Sequence, residues 1–508
     1  MNKKFFSFSS FLFPVLSVIF FSASLPSFGF WPLVWFAPAT LILFIQSKGQ
    51  TARRCFWGVA LTAFCYGVVT IYPLLRISGS WWPSSGGPWA LLLQSLEYGL
   101  LIMAIGILGA LFILPFTFVA RLLRDRPYQA ILLALVWVGL EFIRITFGLM
   151  GYSWGALGYP LIDTVYLKYI GQVGGVFALS GIVMVGSVAL VELLRLLLSV
   201  RHQRAHRLRY FFREIIFRPQ FFSGVWLSVV FFLFAFFLGT LEERRVNECH
   251  ASGTHVAVIA SVIPTDESIG EGAYRYYRAA LLRALDDNAT LIVFPENSFP
   301  FFELNEHDGS LVPNAFITLD NSKLLYEDFM GILHRYPDRV IAVGMHTGNT
   351  EGHFNSIVFY KGGVPFHYYH KRFLVPFTEY RPQFSPFSVL ESFTKGMPVQ
   401  HFSLLGVSAT GLMCSEINRP IFTTDRVPLI IAPANDSLFA SPSAAHVHEV
   451  MARMRALESG GYVLRAVKGG TSSIIAPSGE ILAKGTDGVV VANIALGCTA
   501  FHDENLSP

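Results

Sequence analysis

The sequence predicts a multi-pass α-helical membrane bundle of about seven spans followed by an α/β domain, and three observations support this fold class. The chain has 508 residues, of which 53% are hydrophobic and 14% are charged, whereas soluble globular proteins carry about 25% charged residues. Long apolar runs fill roughly the first half of the chain. Short β-branched runs separated by amphipathic stretches fill the second. Composition therefore argues against a purely soluble protein.

About 20 consecutive apolar residues are needed for a helix that crosses a bilayer. Seven runs are predicted to span the membrane, and they lie near 8–25, 28–46, 56–75, 89–120, 128–148, 169–198 and 221–241. The first run could instead be a cleaved signal peptide, because it follows Lys3 and Lys4 and ends in small residues. The second run is interrupted by Pro32 and Pro38, and without it every later loop would change sides.

The distribution of Lys and Arg predicts the orientation of the spans, because these residues accumulate on the cytoplasmic side. Lys3 and Lys4 precede the first run. Arg195 lies near the end of the sixth run, and six more Arg residues follow before the seventh run. The loops predicted on the opposite side of the membrane carry few Lys or Arg residues. Seven spans with the N-terminus inside place everything after Leu241 outside. We therefore expect a membrane bundle at 1–245 and a domain outside the membrane at 246–508. In a bacterium these would lie in the cytoplasmic (inner) membrane and in the periplasm.

Nine strands and three helices are predicted from His255 onward. The strands are expected at 255–262, 290–294, 340–345, 356–360, 404–413, 428–432, 462–467, 473–476 and 488–494. The helices are expected at 274–286, 322–334 and 446–458. This mixture is typical of a layered α/β domain of about 250 residues.

Nucleic acids, metals and cofactors are not expected as partners. The formal net charge of +4 is too small for a chain of this length to indicate nucleic-acid binding. His446 and His448 are two residues apart, which does not place both on one face of a helix, and no third metal ligand is evident. No phosphate-loop spacing occurs either.

Three segments place a reactive side chain after a short apolar run, where α/β folds expose their sites. Leu291–Glu296 ends in a carboxylate, and His370–Glu379 carries the ammonium group of Lys371. Gly411–Glu416 brings the lone thiol of Cys414. Each segment alone is a weak signal, because a Glu or Lys at a strand end is usually solvated and an isolated Cys is usually a small buried hydrophobe.

In this order, the three segments resemble the Glu-Lys-Cys triad of the nitrilase (carbon–nitrogen hydrolase) superfamily. Joined to an N-terminal membrane bundle, they resemble the apolipoprotein N-acyltransferase family, whose members add the third acyl chain to bacterial lipoproteins. The resemblance covers most of the chain, with further motif matches at 30–32, 140–144, 151–154, 371–382, 435–436 and 451–458. It implies an α/β domain similar to the nitrilase αββα sandwich.

The resemblance implies roles for five residues. Cys414 would take an acyl chain from a phospholipid as a thioester, with Glu296 as general base. Lys371 would stabilise the thiolate and the oxyanion, and Glu379 and Glu416 would be additional essential acids. The acyl chain would then pass to the amine of a diacylglyceryl-cysteine at the N-terminus of a lipoprotein. The enzyme is expected to be a monomer.

Aromatic and apolar residues crowd the loops between the triad members. If these loops are exposed, they form an apolar patch of the kind that marks contact with lipid. The alternative is that they simply pack the domain. The candidates for lipid contact are Phe299, Phe301, Phe373, Leu374 and Phe377.

The sequence departs from the family pattern at several positions. Ser415 and Leu438 replace a Tyr and a Trp, Lys468-Gly469 replaces an Asn pair, and polar residues before Pro508 stand where a last span is usual. Alternatives therefore stay open. The chain could be a membrane-anchored nitrilase-type amidase, an acyltransferase with another acceptor, or an inactive scaffold.

Cysteine usage gives one further expectation. Cys249, Cys414 and Cys498 lie outside the predicted spans, so an odd thiol must remain. If Cys414 is the nucleophile, the other two could pair, because they lie just before the first strand and just after the last, and domain termini are often close. We expect a Cys249–Cys498 disulfide.

Overall fold

A computed structural model gives the fold of the chain as two compact units, Met1–Leu241 and Glu242–Pro508. The structure describes most of the residues of each unit. These are 3–47, 50–75, 113–147, 153–201, 222–248, 253–261, 271–300, 302–313, 322–376, 379–380, 392–398, 401–421, 426–439 and 442–498.

The first unit is built from apolar helices. The helices are α1 (Lys3–Ser24), α2 (Phe36–Ile45), α3 (Ala52–Leu75), α4 (Ile113–Leu122), α5 (Gln129–Phe147), α6 (Gly171–Arg201) and α7 (Ser223–Glu248). Pro32 and Pro38 do not abolish helix in the second predicted run, because each lies in the first turn of a helix, where proline is tolerated.

Among the described residues, three helical stretches are long and apolar enough to cross a membrane: Gln129–Phe147, Leu167–Leu198 and Ser223–Arg245. The last exposes large apolar side chains, among them Leu233 and Phe237, which are 60% and 54% exposed. An outer surface of this kind suits contact with lipid. The first unit therefore has the character of a membrane domain, and the count of seven spans stays a prediction.

The second unit contains sixteen strands among its described residues. They are β1 (Thr254–Ser261), β2 (Leu291–Val293), β3 (Phe302–Asn305), β4 (Leu311–Pro313), β5 (Val340–Asn349), β6 (Gly352–Lys361), β7 (Val364–His370), β8 (Phe402–Leu404), β9 (Val407–Gly411), β10 (Leu429–Ile431), β11 (Ala434–Asn435), β12 (Tyr462–Arg465), β13 (Val467–Lys468), β14 (Ser472–Ile475), β15 (Ile481–Gly485) and β16 (Gly488–Ile494). Its helices are α8 (Glu271–Asp286), α9 (Ser322–Arg335) and α10 (Pro442–Ser459).

These strands form two sheets. The first sheet has ten strands in the order β11-β13-β1-β2-β5-β3-β4, with β16 paired to β1 and with β6 and β7 continuing from β5. The second has six strands in the order β15-β14-β12-β10-β9-β8. In the first sheet β11, β13, β1, β2 and β5 are parallel neighbours, so their carboxyl ends meet at one edge.

Alternate residues of β1 belong to two different cores, as the period-2 geometry of a strand requires. Val256 and Val258 pack with Leu429 and Leu464 of the second sheet. Ile259 packs in the other core, with residues of α8 and α9. Since α10 packs against β12 and β14 of the second sheet, the layers are helix, sheet, sheet and helix. The αββα prediction is confirmed.

Five of the nine predicted strands are present within one residue at each end, β5 and β6 each extend four residues beyond the predicted strand, and two predicted strands are divided. The strand expected at 404–413 is broken into β8 and β9 by Leu405 and Gly406, which have φ of 53° and 79°. The strand expected at 462–467 is divided into β12 and β13. Cys249 and the side chain of Cys498 lie outside the described residues, so the disulfide stays a prediction.

Candidate active site

Glu296 lies three residues beyond β2, at the edge where the parallel strands of the first sheet end. Its side chain is 9% exposed, and its Oε1 accepts a hydrogen bond of 2.8 Å from Nδ2 of Asn355. Gly344 on β5 allows this chain segment to approach closely, because a β-carbon there would lie 2.6 Å from the Cα of Glu296. The fold thus holds one carboxylate in a buried position.

Lys371 directly follows β7 and is 1% exposed. Its Nζ donates to Oε1 of Glu379 at 2.7 Å and lies 3.8 Å from Oε1 of Glu296. Burial by itself would lower the pKa of Lys371, but the two carboxylates outweigh it and hold that pKa above its ordinary value. The structure therefore brings three of the predicted site residues together around a charged ammonium group.

Asn355 of β6 joins the two carboxylates, and no spacing in the sequence had singled it out. The buried Nδ2 group donates to Oε1 of Glu296 at 2.8 Å and to Oε1 of Glu379 at 3.1 Å. Its backbone carbonyl accepts from the N–H of Lys371 at 2.9 Å. A single amide thus sets the relative positions of both acids and the lysine backbone.

Cys414 lies three residues beyond β9 of the second sheet and begins a short 3₁₀ turn. Its φ of +48° is in the left-handed region, which a side chain rarely adopts, and its N–H donates to the carbonyl of Pro433 at 2.8 Å. Burial and then the charge of Glu296 raise the pKa of the thiol well above its ordinary value, against the influence of Lys371 and the N–H of Asn435. The resting group is a thiol at neutral pH.

Glu416 is fully buried, and it binds the backbone just before the thiol of Cys414 and just after Lys371. Its Oε1 accepts from the N–H groups of Arg372 and Phe373, and its Oε2 accepts from the N–H of Met413 and the O–H of Tyr369, at 2.8 to 3.1 Å. Among the bonds described, none joins it to Cys414 or Lys371. Glu416 is therefore a positioning residue.

A second buried network supports the turn that faces the thiol. Asp436 accepts from Nδ1 of His448 at 2.8 Å and from Nη2 of Arg465 at 2.6 Å. Burial would raise the pKa of Asp436, but the charges of Arg465 and His448 outweigh it and hold that pKa below its usual range. These bonds fix the residue that follows Asn435, whose backbone N–H acts to lower the pKa of the Cys414 thiol.

Comparison with known proteins matches two family models to consecutive parts of the chain. Residues 17–189 match the apolipoprotein N-acyltransferase N-terminal domain, and residues 256–500 match carbon-nitrogen hydrolase. The chain belongs to the apolipoprotein N-acyltransferase family. As a member of this family it is an acyltransferase enzyme of the nitrilase superfamily.

Individual relatives agree with the family assignment. The apolipoprotein N-acyltransferase of Aquifex aeolicus is 25% identical over 68% of this chain and 70% of that protein. That of Pseudomonas syringae pv. tomato is 27% identical over 90% and 85%. Among solved structures, a nitrilase-superfamily amidase from Nesterenkonia is 17% identical, with a TM-score of 0.36 over 49% of this chain and 92% of that one.

The density of aromatic and apolar residues between the triad members had suggested lipid-contacting loops, with packing inside the domain as the alternative, and for two of the candidates the alternative is correct. Phe299 is 3% exposed, with its ring 5.1 Å from that of Phe329 of α9, and Leu374 is 7% exposed. Both pack inside the domain. Phe373 is 40% exposed, and the guanidinium of Arg419 lies 4.0 Å from its ring. Phe301 and Phe377 lie outside the described residues.

Replacing Glu416 with Gln is expected to destabilise the second unit by roughly 3 kcal/mol, because the amide NH₂ would face groups that are themselves donors. Glu271→Gln, at an exposed acid on α8, is the matched control. Denaturant titration followed by hydrogen exchange in second-unit peptides measures the change. Equal midpoints for the two variants would contradict the positioning role of Glu416.

Proposed function

We propose that this protein transfers an acyl chain from a phospholipid, through a thioester on Cys414, to the N-terminal amine of a diacylglyceryl-cysteine lipoprotein. One observation carries the proposal. Buried Lys371 lies between the carboxylates of Glu296 and Glu379, and the charges of Glu296 and Lys371 both act on the thiol of Cys414. A nucleophile, a base and a fixed cation are the parts that acyl transfer needs.

Acylation of the thiol would begin with proton transfer, because the raised pKa of Cys414 leaves little thiolate at neutral pH. The thiol gives its proton to Glu296 as Sγ attacks the carbonyl carbon of the donor ester. The ammonium group of Lys371 stabilises the oxyanion of the tetrahedral intermediate. The carbon–oxygen bond then breaks, Glu296 returns the proton to the leaving oxygen, and a lysophospholipid departs from the thioester.

Transfer to the acceptor would reverse these roles. The neutral amine of the lipoprotein attacks the thioester carbonyl, and Glu296 takes a proton from the nitrogen as the amide bond forms. The carbon–sulfur bond breaks, and the same proton returns to Cys414. Glu379 would keep Lys371 in place through the 2.7 Å bond, so that the cation serves both half-reactions.

We further propose the arrangement in the cell. The apolar helices of the first unit would form seven spans of a bacterial inner membrane, with the basic loops in the cytoplasm. The second unit would then act in the periplasm, as a monomer, on lipids of the outer leaflet. Modification of added cysteines in the loops by a membrane-impermeant thiol reagent tests this orientation.

Replacing Cys414 with Ala is expected to abolish the acyl adduct and to lower transfer by at least about 10³-fold. The purified full chain is incubated with phospholipid, and the mass of the peptide that carries Cys414 is measured. A diacylated lipopeptide is then added. Cys65→Ser, at a free thiol of α3, is the control and should leave the adduct unchanged.

The fate of the adduct separates the alternative functions. Discharge by the lipopeptide supports the proposed acceptor. Discharge by water alone would favour a hydrolase of the amidase type, an outcome that the replacement of family aromatics by Ser415 and Leu438 makes worth testing. If the native protein forms no adduct, the acyltransferase mechanism is wrong and an inactive scaffold is favoured.

A further inference from the structure

A second buried lysine lies at the same edge of the first sheet as Glu296. Lys468 ends β13, where it pairs with Ser261 of β1 and with Asn435 of β11. It is 5% exposed. Since β11 contacts the 3₁₀ turn that begins at Cys414, Lys468 is paired with a strand that lies against the turn of the nucleophile.

The ammonium group of Lys468 has no ion pair or hydrogen bond with any residue that the structure describes. Burial lowers the pKa of Lys468, and the charge of Glu296 acts against that effect without an ion pair within 4.0 Å. A buried charge is normally paired, because taking it out of water is costly. The ammonium group of Lys468 is therefore a buried positive charge without a partner among the described residues.

The other charged groups of the site are already matched. Lys371 is shared by Glu296 and Glu379. Asp436 holds Arg465 and His448, and Glu416 lies 3.9 Å from Arg372. The described carboxylates near the site are therefore already engaged by other cations, and a substrate can supply the partner of Lys468.

We infer that Lys468 binds the phosphate group of the acyl donor, an inference that rests on the proposed function. A phospholipid carries its phosphodiester a few bonds from the ester that Cys414 attacks, whereas the acceptor must present a neutral amine. The donor is therefore the substrate that brings an anion to this part of the site. Binding there would orient the donor ester and would favour donors with a phosphate over neutral glycerides.

The first test needs no acyl transfer. Iodoacetamide alkylates Cys414 in the purified full chain, and sn-glycerol 3-phosphate is added as the probe, with glycerol as its uncharged counterpart. The phosphate should protect the thiol and glycerol should not. Lys468→Asn and Lys468→Met should weaken protection roughly 10- to 100-fold, as expected for the loss of one charge-assisted bond, while Lys468→Arg should retain it. Protection that is unchanged in Lys468→Asn would overturn the inference.

The second test compares two donors, a phospholipid and the matching diacylglycerol without a phosphate. The native protein should acylate Cys414 faster from the phospholipid, and Lys468→Asn should lose this preference mainly through KM. Lys361→Met, at an exposed lysine that ends β6, should keep it. Equal loss with both donors would instead mean that Lys468 acts through Glu296 or through folding, and would overturn the phosphate site.

The two tests also separate this inference from the proposed function. If the native protein forms no adduct with either donor, the acyltransferase mechanism fails, yet the protection experiment still decides whether Lys468 binds phosphate. Melting temperatures of the Lys468 variants identify any that do not fold. In that case Lys468→Arg is compared with the native protein in both tests, and the loss of phosphate protection in a folded Arg variant would count against the site.

Discussion

Replacing Glu296 with Gln is expected to slow acylation of Cys414 by roughly 10²- to 10⁴-fold and, at the same time, to let its thiol ionise at a lower pH. The two effects differ in sign because Glu296 acts in two ways. As a base it accepts the thiol proton, so its loss slows the reaction. As a negative charge it raises the pKa of Cys414. Its loss therefore lowers that pKa, in the same direction as the charge of Lys371.

Alkylation by iodoacetamide measures thiolate and therefore reports the second effect. In the native protein the alkylation rate of Cys414 should still be rising above pH 9, because its pKa lies well above the ordinary value. In Glu296→Gln the rise should occur at lower pH. Glu327→Gln, at an exposed acid of α9, should change neither rate. If acylation and alkylation fall together in Glu296→Gln, Glu296 is not the base and its effect is structural.

Local patterns account for the parts of the fold that could be predicted. The strand expected at 488–494 is β16, with the same bounds, and the helix expected at 322–334 is α9 with one more residue. Their apolar residues recur with the period of the element, so each segment carries its own signal. Strand β7 was not among the predicted strands. Its pattern is weaker, because Pro365 lies near its start and about half of its residues are only partly buried.

The active site was less predictable because its parts come from distant segments. The order of Glu296, Lys371 and Cys414 along the chain predicted which residues form the site. The distances between their side chains depend on where β2, β7 and β9 end in the fold. Asn355 carries no sequence signal, since its role is to reach two carboxylates that are 59 and 24 residues away. The raised pKa of the thiol likewise follows from burial and from a neighbour in space.

Burial also determines which of the aromatic loop residues could contact lipid. Phe299 was a candidate for lipid contact because it follows Glu296 in what the sequence presents as a loop. In the fold its ring joins a cluster with Phe294, Phe302 and Phe329. Composition alone cannot separate an exposed aromatic loop from one that turns back into the core, because both have the same residue types.

Replacing Lys371 with Met is expected to destabilise the second unit by roughly 3–5 kcal/mol and to abolish acylation. The lysine is 1% exposed, and the side chains of Glu296 and Glu379 are 9% and 10% exposed. Without the cation, two neighbouring buried carboxylates remain uncompensated, and breaking a buried pair in this way carries a cost of that size. The same change removes the charge that faces the oxyanion.

The double variant Lys371→Met/Glu379→Gln separates stability from chemistry. Removing the second carboxylate relieves the repulsion, so the double variant should recover part of the stability lost in the single variant, but it should recover no acylation. Lys395→Met, at an exposed lysine, is the control.

All nine Trp residues precede residue 242, so Trp fluorescence does not report on the second unit. The stability of the second unit is measured instead by hydrogen exchange in peptides from β6 and β7 along a denaturant titration. If the single and double variants have equal midpoints, Lys371 does not neutralise Glu379 in the folded protein. If acylation returns in the double variant, the cation is not needed for the chemistry.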